Sequence, residues 1–288
     1  QIALALAYRE AGETARATAI ARSLWVENFL ERATEDKVLA QLGDLLDRDA
    51  HWDRAVHLMM HDRATAVERL FDQMTPAQKS LAVARNATSR NDKNAKQLLD
   101  SVDQSMTDSP VFYFSRAQRA RQFELWDDAI AWLDKAKGEV PDAAEFWYER
   151  RLLVRQLLAL GEVKRAYRAA AGYTEGPEGR LVEAQFHAGW IALSFLRDPG
   201  TAATHFRLMR ENSTLPDSVT QADYWLGRAL DAAGDTDGAR KAWADAGAYG
   251  TIYYGQLARA ALGEPAVGLR PMPDWKPAEA GFEARELV

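Results

Sequence analysis

The stretch PVFYFSRAQRARQFELWDDAIAWLDKAKGEVP, Pro110 to Pro141, decides the fold. Within it Ala129 precedes Leu133 by one helical turn, and the same arrangement of an alanine and an apolar residue four positions on recurs along the chain. The pairs are Ala55 with Met59, Ala95 with Leu99, Ala129 with Leu133, Ala166 with Ala170, Ala202 with Phe206, and Ala239 with Trp243. Their spacing is about 34 to 40 residues, the length of a helix-turn-helix repeat. The alanine lets two helices approach closely, and the residue one turn later fills the groove between them.

The unit from Pro110 through Tyr113, Ala117, Trp126, Ala129, Leu133 and Ala136 to Pro141 is close to the tetratricopeptide pattern in its second half and matches poorly in its first. Turn signals that end one helix and begin the next stand at Gly12-Glu13, Leu160-Gly161-Glu162, Asp198-Pro199-Gly200 and Ala233-Gly234-Asp235-Thr236-Asp237. Almost no stretch alternates as a strand would, which disfavours an α/β enzyme with a phosphate loop. The expected architecture is all-α: an α-solenoid or superhelix of stacked helix hairpins, tetratricopeptide-like.

The chain has 288 residues, 47% hydrophobic and 27% charged, ordinary for a folded protein. Net charge is −6 with acids and bases mixed and no run of Lys or Arg, so nucleic acid is not an expected partner. The absence of cysteine excludes disulfides, thiolate zinc sites and a cysteine nucleophile. No apolar stretch approaches the roughly 20 residues of a membrane span. Gln1 to Arg9 lacks the regions of a signal peptide, and both ends lie in helix-like patterns, as in a processed or truncated piece. The expected layout is a superhelical domain over residues 1–264, a connector over 265–277 set by Pro265, Pro271, Pro273 and Pro277, and the start of a further helical segment over 278–288.

Three segments go beyond generic helical repeats. Phe186-His187-Ala188-Gly189-Trp190-Ile191-Ala192-Leu193-Ser194-Phe195-Leu196, followed by Ala202 to Phe206, is similar to a recurring "F-x-x-G-W-x-A-L-x-F-L, then A-x-x-H-F" stretch of the soluble lytic transglycosylases. Tyr224-Trp225-Leu226-Gly227-Arg228-Ala229 is similar to that family's "Y-W-x-G-R-A" helix. Tyr253-Tyr254-Gly255-Gln256-Leu257-Ala258 with Leu262-Gly263 resembles its "Y-Y-G-Q-L-A, then L-G" hairpin. The resemblance is specific over residues 180–263, mainly architectural over 50–180, and faint before that.

This resemblance implies the superhelical, U-shaped domain of a periplasmic enzyme that cleaves the β-1,4 bond between N-acetylmuramic acid and N-acetylglucosamine to a 1,6-anhydro product, without a cofactor. In that family one glutamate acts first as general acid and then as base toward the sugar's own 6-hydroxyl. It lies in a separate lysozyme-like domain, in a Glu-Ser pair followed by "G-L-M-Q". Neither motif occurs in this chain, so no catalytic residue is assigned. The implied partners are peptidoglycan glycan strands, the C-terminal catalytic domain and other cell-wall proteins. The alternative is a freestanding tetratricopeptide-like module that binds a protein segment and has no enzymatic activity.

Tyr253, Tyr254 and Arg228 are the candidate interdomain or glycan contacts, against a plain hairpin core for the tyrosines and an acid of the adjoining hairpin for the arginine. The spacing of Phe186, Gly189, Trp190 and Phe195 places most of them on one helical face, the signature of core packing rather than of a glycan path. Close helix contact would compensate for glycine at 189. His57 and His61 have the spacing of a metal pair, but no third ligand is evident, which leaves a solvated or capping role. His187 and His205 read as hydrogen-bonded structural residues. Asp127, Asp128, Asp235 and Asp237 fall at helix starts, and Asp134 with the first two is not read as a glycosidase pair.

Overall fold

A computed structural model describes residues 1–265, 274 and 276–285. Among the described residues there are seventeen α-helices, three short 3-10 helices and no strand, so the chain is an all-α array of hairpins. It divides into two compact units, Gln1–Asn212 and Ser213–Val288.

In the first unit α1 (Ile2–Glu10) and α2 (Thr14–Glu27) form a hairpin, and α3 (Arg32–Leu42) follows. Further hairpins are α4 (Arg48–Met60) with α5 (Ala64–Glu68), α6 (Pro76–Ser89) with α7 (Ala95–Asp100), and α8 (Pro110–Gln122) with α9 (Trp126–Lys135). The last two are α10 (Ala143–Ala159) with α11 (Val163–Ala171) and α12 (Glu178–Ser194) with α13 (Pro199–Glu211). The helices α2, α4, α6, α8, α10 and α12 pack each on the next. In the second unit α14 (Pro216–Ala232), α15 (Thr236–Gly247) and α16 (Tyr253–Ala261) pack mutually, and α17 (Lys276–Glu283) lies beyond them in sequence. Most of the connector expected over 265–277 falls outside the described residues.

The recurring alanines are all buried, and five of the six pairs stand on the second helix of a hairpin: α7, α9, α11, α13 and α15. Ala55 and Met59 break the register, because they sit on α4, whose partner α5 has only five residues. Corners repeat as strictly as helices. Gly12, Gly161 and Gly234 follow α1, α10 and α14 with φ of 77°, 77° and 84°. The corners after α4, α6, α8 and α12 place Asp62, Asn91, Glu124 and Arg197 in the same left-handed region, with φ of 56°, 55°, 57° and 53°. The α12 corner thus turns at Arg197, and Pro199-Gly200 is already the first turn of α13, capped by Asp198, which accepts from Thr201 N at 3.0 Å. Other starts are fixed similarly: Thr75 and Gln78 form a reciprocal capping box before Pro76, and Asp235 accepts from Gly238 N at 3.0 Å.

Arginines and their acids stitch the first unit together. Arg54, fully buried, lies 4.2 Å over the Trp25 ring, donates to the Trp25 and Asn28 carbonyls at the end of α2, and pairs with Glu35. Arg85, also fully buried, donates to the Met59 carbonyl at the end of α4 at 3.1 Å and to Asp62 at 2.6 Å. Each cation therefore adds a donor to carbonyls at the negative end of the preceding long helix. Farther along, Arg121 bridges to Glu149, Arg150 to Asp134 at 2.8 Å, Arg151 to Glu183 at 2.8 Å, and Arg165 to Asp127 at 2.7 Å. Burial pushes the Arg54, Arg85 and Arg150 guanidiniums down from their ordinary values, and their acids oppose that shift.

Candidate aromatic site on the second unit

Gln221, Tyr224, Trp225 and Arg228 follow the i, i+3, i+4, i+7 spacing that puts side chains on one face of a helix, here α14. Opposite them α16 begins with Tyr253 and Tyr254. Its start is held close to the end of α15 by Gly255, where a Cβ would come within 2.9 Å of the Ala246 carbonyl oxygen. This placement lets the Tyr254 hydroxyl accept from Gln221 Nε2 at 3.1 Å.

The result is one continuous run of rings. Trp225 and Tyr224 have centroids 5.8 Å apart, Tyr224 and Tyr254 5.6 Å, and Tyr254 and Tyr253 5.1 Å. Tyr253 is 65% exposed, the three other rings are half-buried, and Tyr249 near the α16 start is also exposed. The Arg228 guanidinium caps the other end of the run, 4.8 Å over the Trp225 ring. The expectation that Arg228 grips an acid of the adjoining hairpin is therefore corrected. It stacks on an aromatic residue three positions earlier in its own helix, it is exposed, and among the described residues no carboxylate pairs with it. A row of aromatic faces with a guanidinium at one end can hold the apolar faces of sugar rings and a carboxylate beside them.

The structure thus brings together Tyr253, Tyr254 and Arg228. Sequence reasoning did not single out Gln221, Tyr224 or Trp225 as partners, although their helical spacing with Arg228 carried that signal. At Gly227 of α14 the missing side chain makes room for the Trp243 indole, whose Nε1 donates to the Tyr224 carbonyl at 3.2 Å.

The remaining candidates are structural. His205 is buried, with Nδ1 2.7 Å from Gln185 Oε1 and Nε2 2.9 Å from the Tyr167 hydroxyl, and burial holds it below its ordinary value. His187 Nδ1 lies 2.7 Å from the Glu183 carbonyl. Asp235 is a helix cap, whereas Asp127 caps nothing and pairs with Arg165 and Arg168, which hold its carboxyl low. Gly189 is buried against Phe206, whose ring would lie 2.7 Å from an added Cβ. Phe186 and Trp190 are half-buried, but Phe195 is 48% exposed. The expected core face loses Phe195 because α12 ends at Ser194 and the backbone turns away there. Of the solvated or capping role expected for His57 and His61, His61 takes the cap position at the end of α4 and lies between Asp142 and Glu145, and half-buried His57 stacks on Phe29 at 4.9 Å. Among the described residues no three His, Asp or Glu side chains form a group able to hold a metal ion.

A cavity of about 510 Å³ between α9, α10 and α11 is lined by Asp134, Lys137, Phe146, Arg150 and Tyr173. Its arginine is already bound to Asp134 and to the Ala169 carbonyl, so its charge is balanced within the protein. Burial pushes the Tyr173 hydroxyl up to about 12. No protein-family model matches the chain, and no curated protein matches it either.

Proposed function

We propose that this chain is the scaffold of a peptidoglycan lytic transglycosylase, with the chemistry carried by a lysozyme-like domain outside these residues. On this reading it works in the periplasm and positions the glycan strand for cleavage of the bond between N-acetylmuramic acid and N-acetylglucosamine. The observation that carries the reading is the aromatic run from Trp225 to Tyr253, ending in the exposed Arg228 guanidinium. Sugar rings would lie on the tyrosines, and a lactyl or stem-peptide carboxylate would meet the guanidinium. A scaffold of this kind acts by orientation, raising the share of encounters that reach the catalytic glutamate correctly placed.

The test is incubation of the purified chain with intact sacculi, followed by separation of pelleted from soluble protein and mass spectrometry of the supernatant. Co-sedimentation without 1,6-anhydro muropeptides supports the scaffold. Release of anhydro products would place an active site within these residues and overturn the assignment of catalysis to another domain.

A second reading, a freestanding tetratricopeptide-like module that binds a protein segment, rests on exposed apolar side chains at the hairpin corners: Phe123, Leu125, Leu160 and Phe195. It predicts neither binding to sacculi nor cleavage.

A further inference from the structure

The cavity of about 510 Å³ beside α9, α10 and α11 lies within the first unit and plays no part in the glycan contact proposed for the second. Its floor is apolar: Leu133 and Phe146 are 1% and 4% exposed, and Val140 is half-buried. Its walls come from the turn between α9 and α10, with Lys137, and from the turn after α11, with Glu175. An apolar floor with a few polar groups, at this volume, is the make-up of a ligand pocket.

The polar end of the cavity is one ion pair. Arg150, 3% exposed, donates from Nη2 to Asp134 Oδ1 at 2.8 Å and from Nη1 to the Ala169 carbonyl at 3.2 Å. These bonds use two of the five N–H groups of a guanidinium and one of the two oxygens of a carboxylate. Donor and acceptor capacity therefore remain side by side, and the Asp134 side chain is 45% exposed.

Gly172 makes that pair reachable. A Cβ at this position would collide with Arg150 Nη1 and come within 2.8 Å of Asp134 Oδ1. The backbone there has φ of −73° and ψ of −3°, which any residue adopts, so the conformation does not require glycine. What glycine supplies is open space between the cavity and the pair.

The charges select what can enter. Asp134 and Glu175 balance Lys137 and Arg150, so the lining favours an uncharged polar ligand over an anion or a cation. In an extended chain the N–H and C=O of one residue point to the same side. Such a residue can donate to Asp134 and accept from Arg150 while its side chain covers Leu133, Val140 and Phe146. A sugar ring gains less here, because Phe146 is buried and the Tyr173 hydroxyl donates to the Ala143 carbonyl at 2.9 Å.

We propose that this cavity binds one apolar residue of an extended peptide, reading its backbone N–H and C=O with the Asp134–Arg150 pair and its side chain with the apolar floor. Binding here is independent of any glycan contact by the second unit.

The experiment is amide NMR of the full chain titrated with N-acetyl-leucine N-methylamide, which presents one apolar residue with both backbone groups. We expect saturating shifts confined to the cavity, at Gly138, Gly172 and Thr174, with a Kd of about 1 mM for a ligand this small. The acetoxy analogue, with an ester oxygen in place of the leucine N–H, is expected to bind about tenfold more weakly, because Asp134 then faces an oxygen. N-acetyl-leucine, with its free carboxylate, is also expected to bind more weakly. Gly172→Ala is expected to lose the shifts at Gly138 and Thr174 at concentrations that saturate wild type. Should that variant fail to fold, the comparison of amide with ester on wild type decides in its place. No localised shift up to about 20 mM, equal binding of amide and ester, or tighter binding of the carboxylate overturns the proposal. So does binding of N-acetylglucosamine as tight as that of the amide, which would make the cavity a site for a sugar's acetamido group.

Discussion

The Trp243 indole occupies the space that a side chain on Gly227 would need. Helices α14 and α15 approach at this point because residue 227 has no Cβ, and the indole N–H is held by the Tyr224 carbonyl. Gly227→Ala is therefore expected to destabilise the second unit by about 1–3 kcal/mol, the usual penalty for overpacking, despite alanine's better helix propensity. Urea denaturation followed by tryptophan fluorescence reads this directly.

The corner residues Glu124 and Arg197 lie in the left-handed region that glycine occupies at Gly12, Gly161 and Gly234. Glu124→Gly and Arg197→Gly should each stabilise the first unit by up to about 1 kcal/mol, since the Cβ strain of the left-handed conformation is removed. Calorimetry would show a raised Tm. A lowered Tm would mean that glycine's entropy in the unfolded chain outweighs the strain.

Glu35 pairs with both Arg54 and Arg69, and Arg54 has no exposed surface. Glu35→Ala leaves a buried guanidinium without its carboxylate and is expected to cost about 3–5 kcal/mol. A chemical denaturation midpoint shared with wild type would show that the carbonyls of Trp25 and Asn28 suffice for Arg54.

Tyr253→Ala removes an exposed ring that packs no core, so stability should stay within about 0.5 kcal/mol of wild type. On the proposed function the same change, and Arg228→Ala independently, weakens binding to sacculi by about tenfold, the effect of one good anchoring contact. Unchanged co-sedimentation by both variants would remove this face from the glycan path.

Both ring nitrogens of His205 are engaged, by Gln185 and Tyr167, in a way that suits the neutral imidazole, and burial holds its value down. A base with a depressed folded value contributes stability above its ordinary value, near 6.5, that is lost as pH falls below it. His205→Gln is expected to flatten the acid side of the stability curve between pH 7 and 5, measured as denaturation midpoint against pH.

Much of the architecture was legible because it rests on local repetition. The alanine pairs report close helix contacts one hairpin at a time, and the glycine corners report left-handed backbone. The same corner at Glu124 and Arg197 left no trace in the sequence, because those residues adopt the conformation under tertiary constraint, whereas Asp62 and Asn91 are of types that tolerate it. Arg54 and Arg85 were hidden for another reason: a charged residue is ordinarily exposed, and only the ends of α2 and α4, brought alongside in space, make their burial tolerable. Of the aromatic site, Tyr253, Tyr254 and Arg228 could be found from the sequence. Arg228's companion is the indole one turn earlier, whereas charge pattern alone points to an opposite charge.

The arginine stitches have a mechanical consequence. Each joins one hairpin of the first unit to a neighbour, so under tension a terminal hairpin must break its own stitch before the next one bears load. A pulled chain will then lengthen in steps of about 35 residues, each releasing roughly 120 Å of contour.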